Sequence, residues 1–420
     1  MNRKITIAAT GCVLADYLYS GIDFSTAAFR KLCSRAPGDG GLVPGGLVFG
    51  EEIERFANAP LDEVLRAVGA GRESDAVNLG GPAIVAICSC AQILSDEEAS
   101  VSFFGASGED DVGRFTREAV SRCGIKGARY KILRQASPVT YVLSDQSAAA
   151  GQGERSFINV IGAGGEFGPE DLDESFFDAD ILLFGGTAIV PRLHDGLTEL
   201  LERGKSLDRI TVVTTVYDFR SQRENPHARW PMGRSDDSYR SIDLLMVDRE
   251  EALRLSGCGA PEEALDFFRR RGVGACLITN GAAEVLLFSR GELFAPAELR
   301  LPVSAEVCRR LERADGPRDT TGCGDNFAGG VLSGIALQLR RGASPQLDLT
   351  TACALGIVNG GLACFYLGGA KVEGSPGERR GAVAELYAAY RRQLSAASLL
   401  PVEGLFPEWK ADRAPHLEEA

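Results

Sequence analysis

Histidine is scarce in this chain: three residues in 420, at positions 194, 227 and 416. They stand too far apart to suggest a zinc site or a Ser-His-Asp triad. The eleven cysteines include no Cys-x-x-Cys pair, Cys88 and Cys90 being the nearest neighbours. An odd number without metal-ligand spacing favours reduced, mostly buried thiols over a disulfide framework. The apolar run after Lys4, I-T-I-A-A-T-G, is too short to cross a bilayer and lacks the longer apolar stretch and cleavage site of an export signal. A cytoplasmic location is therefore expected. No Gly-x-x-x-x-Gly-Lys-Ser/Thr string occurs, and the turn from Thr10 to Asp16 lacks Gly-x-Gly-x-x-Gly. Both absences disfavour the common phosphate loop and a dinucleotide dehydrogenase. Positive charge is in deficit too: 45 Lys and Arg against 58 Asp and Glu give a net charge of −13. Nucleic acid and anionic membranes are disfavoured as general partners, while a local basic pocket for phosphate is not.

What is present is ordinary for a globular chain, with 45% hydrophobic and 25% charged residues and enough length for a large core. Strand-like apolar runs recur at Ile5 to Ala9, Val101 to Phe104, Ile181 to Phe184, Thr211 to Val216, Leu244 to Val247, Cys276 to Thr279 and Val285 to Phe288. Helical patterns lie between several of them, as at Phe115 to Cys123, Leu193 to Arg203, Glu250 to Ser256 and Pro261 to Arg271. This alternation predicts an α/β fold with a mainly parallel sheet, whose ligands bind beyond the carboxyl ends of the strands. Residues 20–77 break the rhythm with a Gly- and Pro-rich loop between two helical patterns, Thr26 to Ser34 and Glu51 to Val68. Insertions of this length are uncommon unless they form lids or carry structure of their own. Residues 137–161 read as a hairpin, and Glu378 to Leu394 as a terminal helix.

One stretch points to chemistry. From Asp319 to Leu339 the chain reads D-T-T-G-C-G-D-N-F-A-G-G-V-L-S-G-I-A-L-Q-L, a glycine turn feeding a helix with Phe327, Val331, Leu332, Ile335 and Leu339 on one face. Unpaired amides and the helix dipole make such a junction welcoming to an anion. Gly322, Cys323 and Gly324 would hold a phosphoryl group there, and Asp325 could take a proton from a hydroxyl. The plainer alternative is a capping Asp at a helix start that binds nothing.

The string Asp319-Thr-Thr-Gly-Cys-Gly-Asp325 resembles the signature Asp-Thr-x-Gly-Ala-Gly-Asp of the ribokinase-like (PfkB) carbohydrate kinases, with Cys323 in the usual place of Ala. Asn78, Gly80 and Gly81 in N-L-G-G resemble the family's Gly-Gly motif, and V-S-F-F-G-A-S-G-E-D-D-V-G from Val101 its Gly-x-x-Gly-x-Asp loop. The resemblance implies a three-layer α/β/α core (residues 1–19 and 78–395) and a small lid. The 20–77 insertion and the 137–161 hairpin would supply the lid, and 396–420 is left as a tail. It implies transfer of phosphate from ATP to a sugar hydroxymethyl group, with Asp325 as general base.

Further roles come from the same source. Asp16 would bind sugar hydroxyls, a carboxylate being able to accept from two at once. Without the resemblance, solvation is the commoner fate of such a residue. Asn78, Gly80 and Gly81 would also face the substrate. Ile84 or Val85 stands where relatives carry a sugar-binding Asn, which keeps a nucleoside or other hydroxymethyl acceptor open. Glu251 would act through water on Mg²⁺ travelling with ATP. Asp248 replaces a usual Asn and either helps hold the metal or weakens the site. Thr279 and Gly281 would lie beside the nucleotide, with Glu284 in place of a common glycine, and Asn359 near the adenine. Carbonyls around Asp319 and Thr321, with Gly368 and Gly369, are where a monovalent cation such as K⁺ binds in relatives. A homodimer through an exposed lid edge is a further expectation. A catalytically weak sugar-binding regulator is the alternative from outside the enzymes.

Overall fold

The computed structural model describes residues 3–36, 38–148, 153–313, 320–342, 344–395 and 399–409. Nine strands form its larger sheet: β1 (Ile5–Gly11), β5 (Ala99–Gly108), β6 (Arg129–Leu133), β9 (Ile181–Gly185), β10 (Ile210–Thr214), β11 (Leu244–Asp248), β12 (Ala275–Thr279), β13 (Val285–Ser289) and β14 (Ala297–Leu301). Their order is β14-β13-β12-β11-β10-β9-β1-β5-β6. Only the β12–β13 and β13–β14 pairs are antiparallel.

The apolar runs become central strands because both of their faces are covered. Ile5, Ile7, Ala9, Ile181 and Leu183 join one apolar cluster, whereas the alternate residues Ala8, Leu182 and Phe184 join another. The first cluster packs beneath helices Pro82–Ile93, Cys323–Arg341, Leu349–Ala363 and Glu378–Gln393, the second beneath Leu197–Ser206, Arg249–Ser256 and Pro261–Arg270. Helix Pro82–Ile93, P-A-I-V-A-I-C-S-C-A-Q-I, is apolar almost all round and is buried along nearly its whole length. The result is the expected ribokinase-like α/β/α arrangement. Described residues of the C-terminal tail also belong to the core: Leu399, Val402, Leu405 and Phe406 are buried in the first cluster.

A second, five-stranded sheet consists of β2 (Leu14–Tyr19), β3 (Leu47–Phe49), β4 (Ala76–Gly80), β7 (Val139–Asp145) and β8 (Glu154–Val160), in the order β3-β8-β7-β2-β4. Residues 137–161 provide β7 and β8, paired antiparallel from Val139 opposite Val160. Two sequence-based expectations change here. Residues 14–19, assigned to the core, are a lid strand, so Asp16 lies inside β2 and not in a loop after β1. The single helix expected over Glu51 to Val68 is two, Gly50–Ala57 and Leu61–Ala67, broken where Asn58 turns left-handed at φ 50° and Pro60 caps the second.

The insertion folds back on the outer face of this sheet. Tyr19, Leu143, Ile158 and Val48 are buried there against Phe29 and Leu32 of helix Ala27–Leu32, Ile53, Val64 and Leu65. Thr26 starts that helix, its side chain accepting from the Phe29 amide. Phe29 itself is fully buried and stacks on Phe24 with ring centroids 4.2 Å apart. The lid therefore has an apolar core of its own. Phe29→Ala is expected to cost about 3 kcal/mol. Hydrogen exchange should rise across β2, β3 and β4 while β9 to β11 keep their protection; an even rise over both sheets would show that the lid is not a separate cooperative unit.

Candidate active site

The parallel strands end on one edge of the large sheet, where Gly11 pairs with Gly185, Gly185 with Thr214, and Asp248 with Thr279. The glycine turn before helix Cys323–Arg341 sits at this edge. Gly322 is left-handed (φ 71°), and a Cβ on it would stand 2.5 Å from the Gly369 Cα. Turn and Gly368–Gly369 loop are thus packed backbone on backbone. The Cys323 amide donates to Thr320 O at 3.2 Å, so it is engaged within the turn, and the Asn326 amide donates to Gly322 O at 2.8 Å. Among the described residues the amides of Gly324 and Asp325 have no backbone acceptor, and nothing lies within 4 Å of a Cβ built on Gly324. The open end of the turn accordingly lies one residue later than the Gly322–Gly324 set read from the sequence. Asp325 is half-buried, and burial pushes its carboxyl up to about 6. The Cys323 Sγ lies 3.4 Å from that of Cys364, and both are thiols.

Beyond β11 two more carboxylates face the same region. Asp248 caps helix Arg249–Ser256 by accepting from the Glu251 amide at 2.7 Å, and Glu251 accepts in return from the Asp248 amide at 3.2 Å. Thr215 Oγ1 donates to Glu251 Oε2. Burial first, then the charges of Asp248 and Asp325, raise the Glu251 carboxyl to about 8. Burial also raises Asp248. Asp325 and the Asp248–Glu251 pair, 77 and 74 positions apart in the chain, are therefore electrostatic neighbours. An oxygen-only set of mutually repelling carboxylates suits a hard divalent cation. Among the described residues no three such groups converge tightly enough to hold a metal alone. Thr279 lies directly across from Asp248, and Gly281 (φ 54°) forms an exposed turn with open space around it. Glu284 is ion-paired with Arg300 on β14. Asp319 lies outside the described residues.

The inner face of the lid carries a row of polar side chains in register across four strands: Asn78, Asp16, Thr140 and Asn159. Asn159 donates to Thr140 Oγ1 at 3.0 Å, and the Asp16 carboxylate lies against Gly80, where any Cβ would meet it. Asn78 Nδ2 donates to Leu367 O at 3.2 Å, joining the row to the Gly368–Gly369 loop and so to the glycine turn. Gly81 (φ 112°) lets the chain leave β4 past the Cys12 carbonyl. Further contacts join the lid to the core: Arg155 Nη1 donates to Thr321 Oγ1 at 2.5 Å, Arg223 pairs with Glu52, and Phe49 meets Phe219 edge-on with centroids 6.3 Å apart. Ile84 and Val85 are buried in the first apolar cluster.

Asn359 is placed otherwise than expected. It is fully buried, its Nδ2 donating to Asn326 O at 2.5 Å and Ser89 Oγ at 3.2 Å, while its Oδ1 accepts from Arg379 at 2.9 Å. That amide is engaged within the protein. Sequence patterns also miss Arg155, Thr140, Asn159, Asn326 and Arg379. Each is an ordinary polar residue whose partner is distant in the chain; only the N-F after Asp325 marked Asn326 as part of a motif.

These features, a glycine turn with an adjoining carboxylate facing a polar sheet lid, are those of a kinase that works on a hydroxyl group. Residues 72–373 match the pfkB family carbohydrate kinase profile, and the chain belongs to that family. It is a phosphotransferase with a hydroxyl acceptor, and ATP use follows from the family. The chain is 24% identical over 269 residues to the 2-dehydro-3-deoxygluconokinase of Thermoproteus tenax, covering 62% of this chain and 74% of that enzyme. Solved structures of the same fold include the Sinorhizobium meliloti adenosine kinase (17% identity, TM-score 0.64, 94% of this chain and 100% of that one). A probable sugar kinase of Rhizobium etli is similar (18%, 0.65, 92% and 100%), as is the Thermotoga maritima ribokinase (17%, 0.59, 91% and 99%).

The Glu251 shift has a definite sign. An acid raised from 4.5 to about 8 on folding binds a proton that the unfolded chain releases, so stability falls as pH rises between those values. Without divalent cation, Tm is expected to drop by about 5 °C from pH 5 to pH 8. Glu251→Gln should remove most of that slope in a scanning-calorimetry series; an unchanged slope would assign it to other groups.

Proposed function

We propose that the chain phosphorylates a hydroxymethyl group of a sugar or sugar acid, with Asp325 as general base. The observation that carries this is the placement of Asp325 at the open end of the glycine turn, next to the Asp248–Glu251 pair. A carboxyl at about 6 is mostly ionised at neutral pH and close enough to it to return the proton later. Asp16, with Thr140, Asn159 and Asn78 in the same row, holds acceptor hydroxyls from the lid side and aims the reacting oxygen across the cleft. The amides of Gly324 and Asp325 hold the phosphoryl group, and Arg155 closes over the same turn from β8. Glu251 and Asp248 would take Mg²⁺ through water, with Thr279 and Gly281 at the nucleotide. Bound there, the ion would neutralise charge on the phosphates during in-line transfer. The Thermoproteus tenax relative supports a sugar-acid acceptor.

A nucleoside is the second reading, favoured by one feature. Half-buried Phe49, Phe219 and Tyr217 cluster where lid meets core, the last two with centroids 4.6 Å apart, and such faces suit a planar base. The regulator reading loses support, since the Glu284 charge is spent on Arg300. The lid dimer keeps only the edges β3 and β4, because the outer face is covered by the insertion's helices. A K⁺ site beside Thr321 stays a proposal tested by comparing K⁺ with Na⁺ in the assay.

A coupled ADP-release assay over sugars, sugar acids and nucleosides decides among these readings; ADP release independent of every acceptor would overturn the kinase assignment. Asp325→Asn is expected to lower kcat by about 10²–10⁴-fold and to abolish the acid limb near pH 6, with calorimetric ATP binding unchanged. Arg155→Ala should cost about tenfold in kcat/KM by weakening the hold on the phosphates. Equal activity in either variant would remove that residue from the mechanism.

A further inference from the structure

Beneath the glycine turn lies a cation that the transfer just described does not use. Arg379, in the first turn of helix Glu378–Gln393, is 5% exposed. Its guanidinium donates to neutral acceptors: Nη1 to Asn326 Oδ1 and Asn359 Oδ1, each at 2.9 Å, and Nη2 to the Tyr366 hydroxyl at 2.9 Å. Tyr366 in turn donates to Asn326 Oδ1 at 3.1 Å. On its other side Asn326 donates from Nδ2 to Gly322 O and Gly369 O, both at 2.8 Å.

A side-chain amide can occupy this place in two orientations that differ by a half-turn. Guanidinium has donors and no acceptor, so beside it only the oxygen-inward orientation is tolerated. With Oδ1 turned in, the NH₂ group must point at the two glycine carbonyls and bind them together. Turned the other way, the amide oxygen would oppose Gly322 O and Gly369 O, and the backbone contact that shapes the turn would be pushed apart. Asn359 is oriented by the same cation and ties Asn326 O to Ser89. Lysine, whose three donors all sit on one nitrogen, could not address both amide oxygens and the tyrosine in this fork geometry.

We propose that Arg379 is a positioning residue for phosphoryl transfer: by fixing the Asn326 amide it holds the Gly322 turn in the shape that receives the triphosphate. The inference rests on the kinase assignment above. Helix packing alone would also bury an arginine, so the test separates the two roles. Arg379→Ala should lower kcat by about a hundredfold with the acceptor KM within about twofold, and weaken a non-hydrolysable ATP analogue by about tenfold while sparing ADP. Millimolar guanidinium should restore at least about a tenth of the lost rate by refilling the space, whereas urea and Arg379→Lys should not. Asn326→Asp keeps Arg379 satisfied and the fold intact but cannot donate to the glycine carbonyls. It should match the alanine variant in rate and show no rescue, and it serves also where Arg379→Ala fails to fold. Wild-type rate in Asn326→Asp, or a guanidinium-insensitive loss in Arg379→Ala that follows only its folded fraction, would overturn the proposal. A wild-type chain that binds the analogue in an Arg379-dependent way yet phosphorylates no acceptor would instead sink the kinase assignment, leaving only Arg379's hold on a triphosphate-binding turn.

Discussion

The shape of the glycine turn depends on the contact between Gly322 and Gly369, which leaves no room for a side chain on Gly322. Each glycine belongs to a different part of the chain, and each is also tied outward. Gly322 leads into the helix that presents Asp325, while the Gly369 loop is held to β4 through Asn78 and the Leu367 carbonyl. Because β4 pairs with β2, the same contact sets how far the acceptor row around Asp16 stands from the proposed base. The geometry of one backbone junction is thus passed to both sides of the reacting bond.

Charge is the second constraint. Asp248, Glu251 and Asp325 are electrostatic neighbours at the end of the large sheet, on a chain already carrying −13. Three features moderate this: burial raises the Glu251 carboxyl so that it holds its proton more tightly, the amides at the turn offer partial positive charge, and Arg155 donates to Thr321 while Arg379 donates to Asn326.

Strands buried on both faces leave continuous apolar runs, which is why β1, β9, β10, β11, β12 and β13 were legible. Of the lid strands, the β7–β8 hairpin was legible and β2, β3 and β4 were not. Leu14–Tyr19, L-A-D-Y-L-Y, mixes a carboxylate with aromatic residues because one face carries the polar row and the other meets helices, and β3 is only three residues long. At the site, the glycine turn and Asp325 could be read because local backbone demands select those residues. Asn359 shows the limit: the resemblance put it near the adenine, but its amide is turned toward Arg379, twenty positions on. Arg155 was invisible for the same reason, its partner Thr321 being 166 positions away.

The lid has its own apolar interior, and it meets the core at several places, among them Arg155, Arg223, Phe49 and Asn78. A body of that kind is expected to open as one door about the short crossings that connect the two sheets, its contacts with the core released together. Escape of a phosphorylated product would then be governed by how often the whole door opens, and a change far from the chemistry, in a helix that never touches a ligand, could set the pace of the cycle.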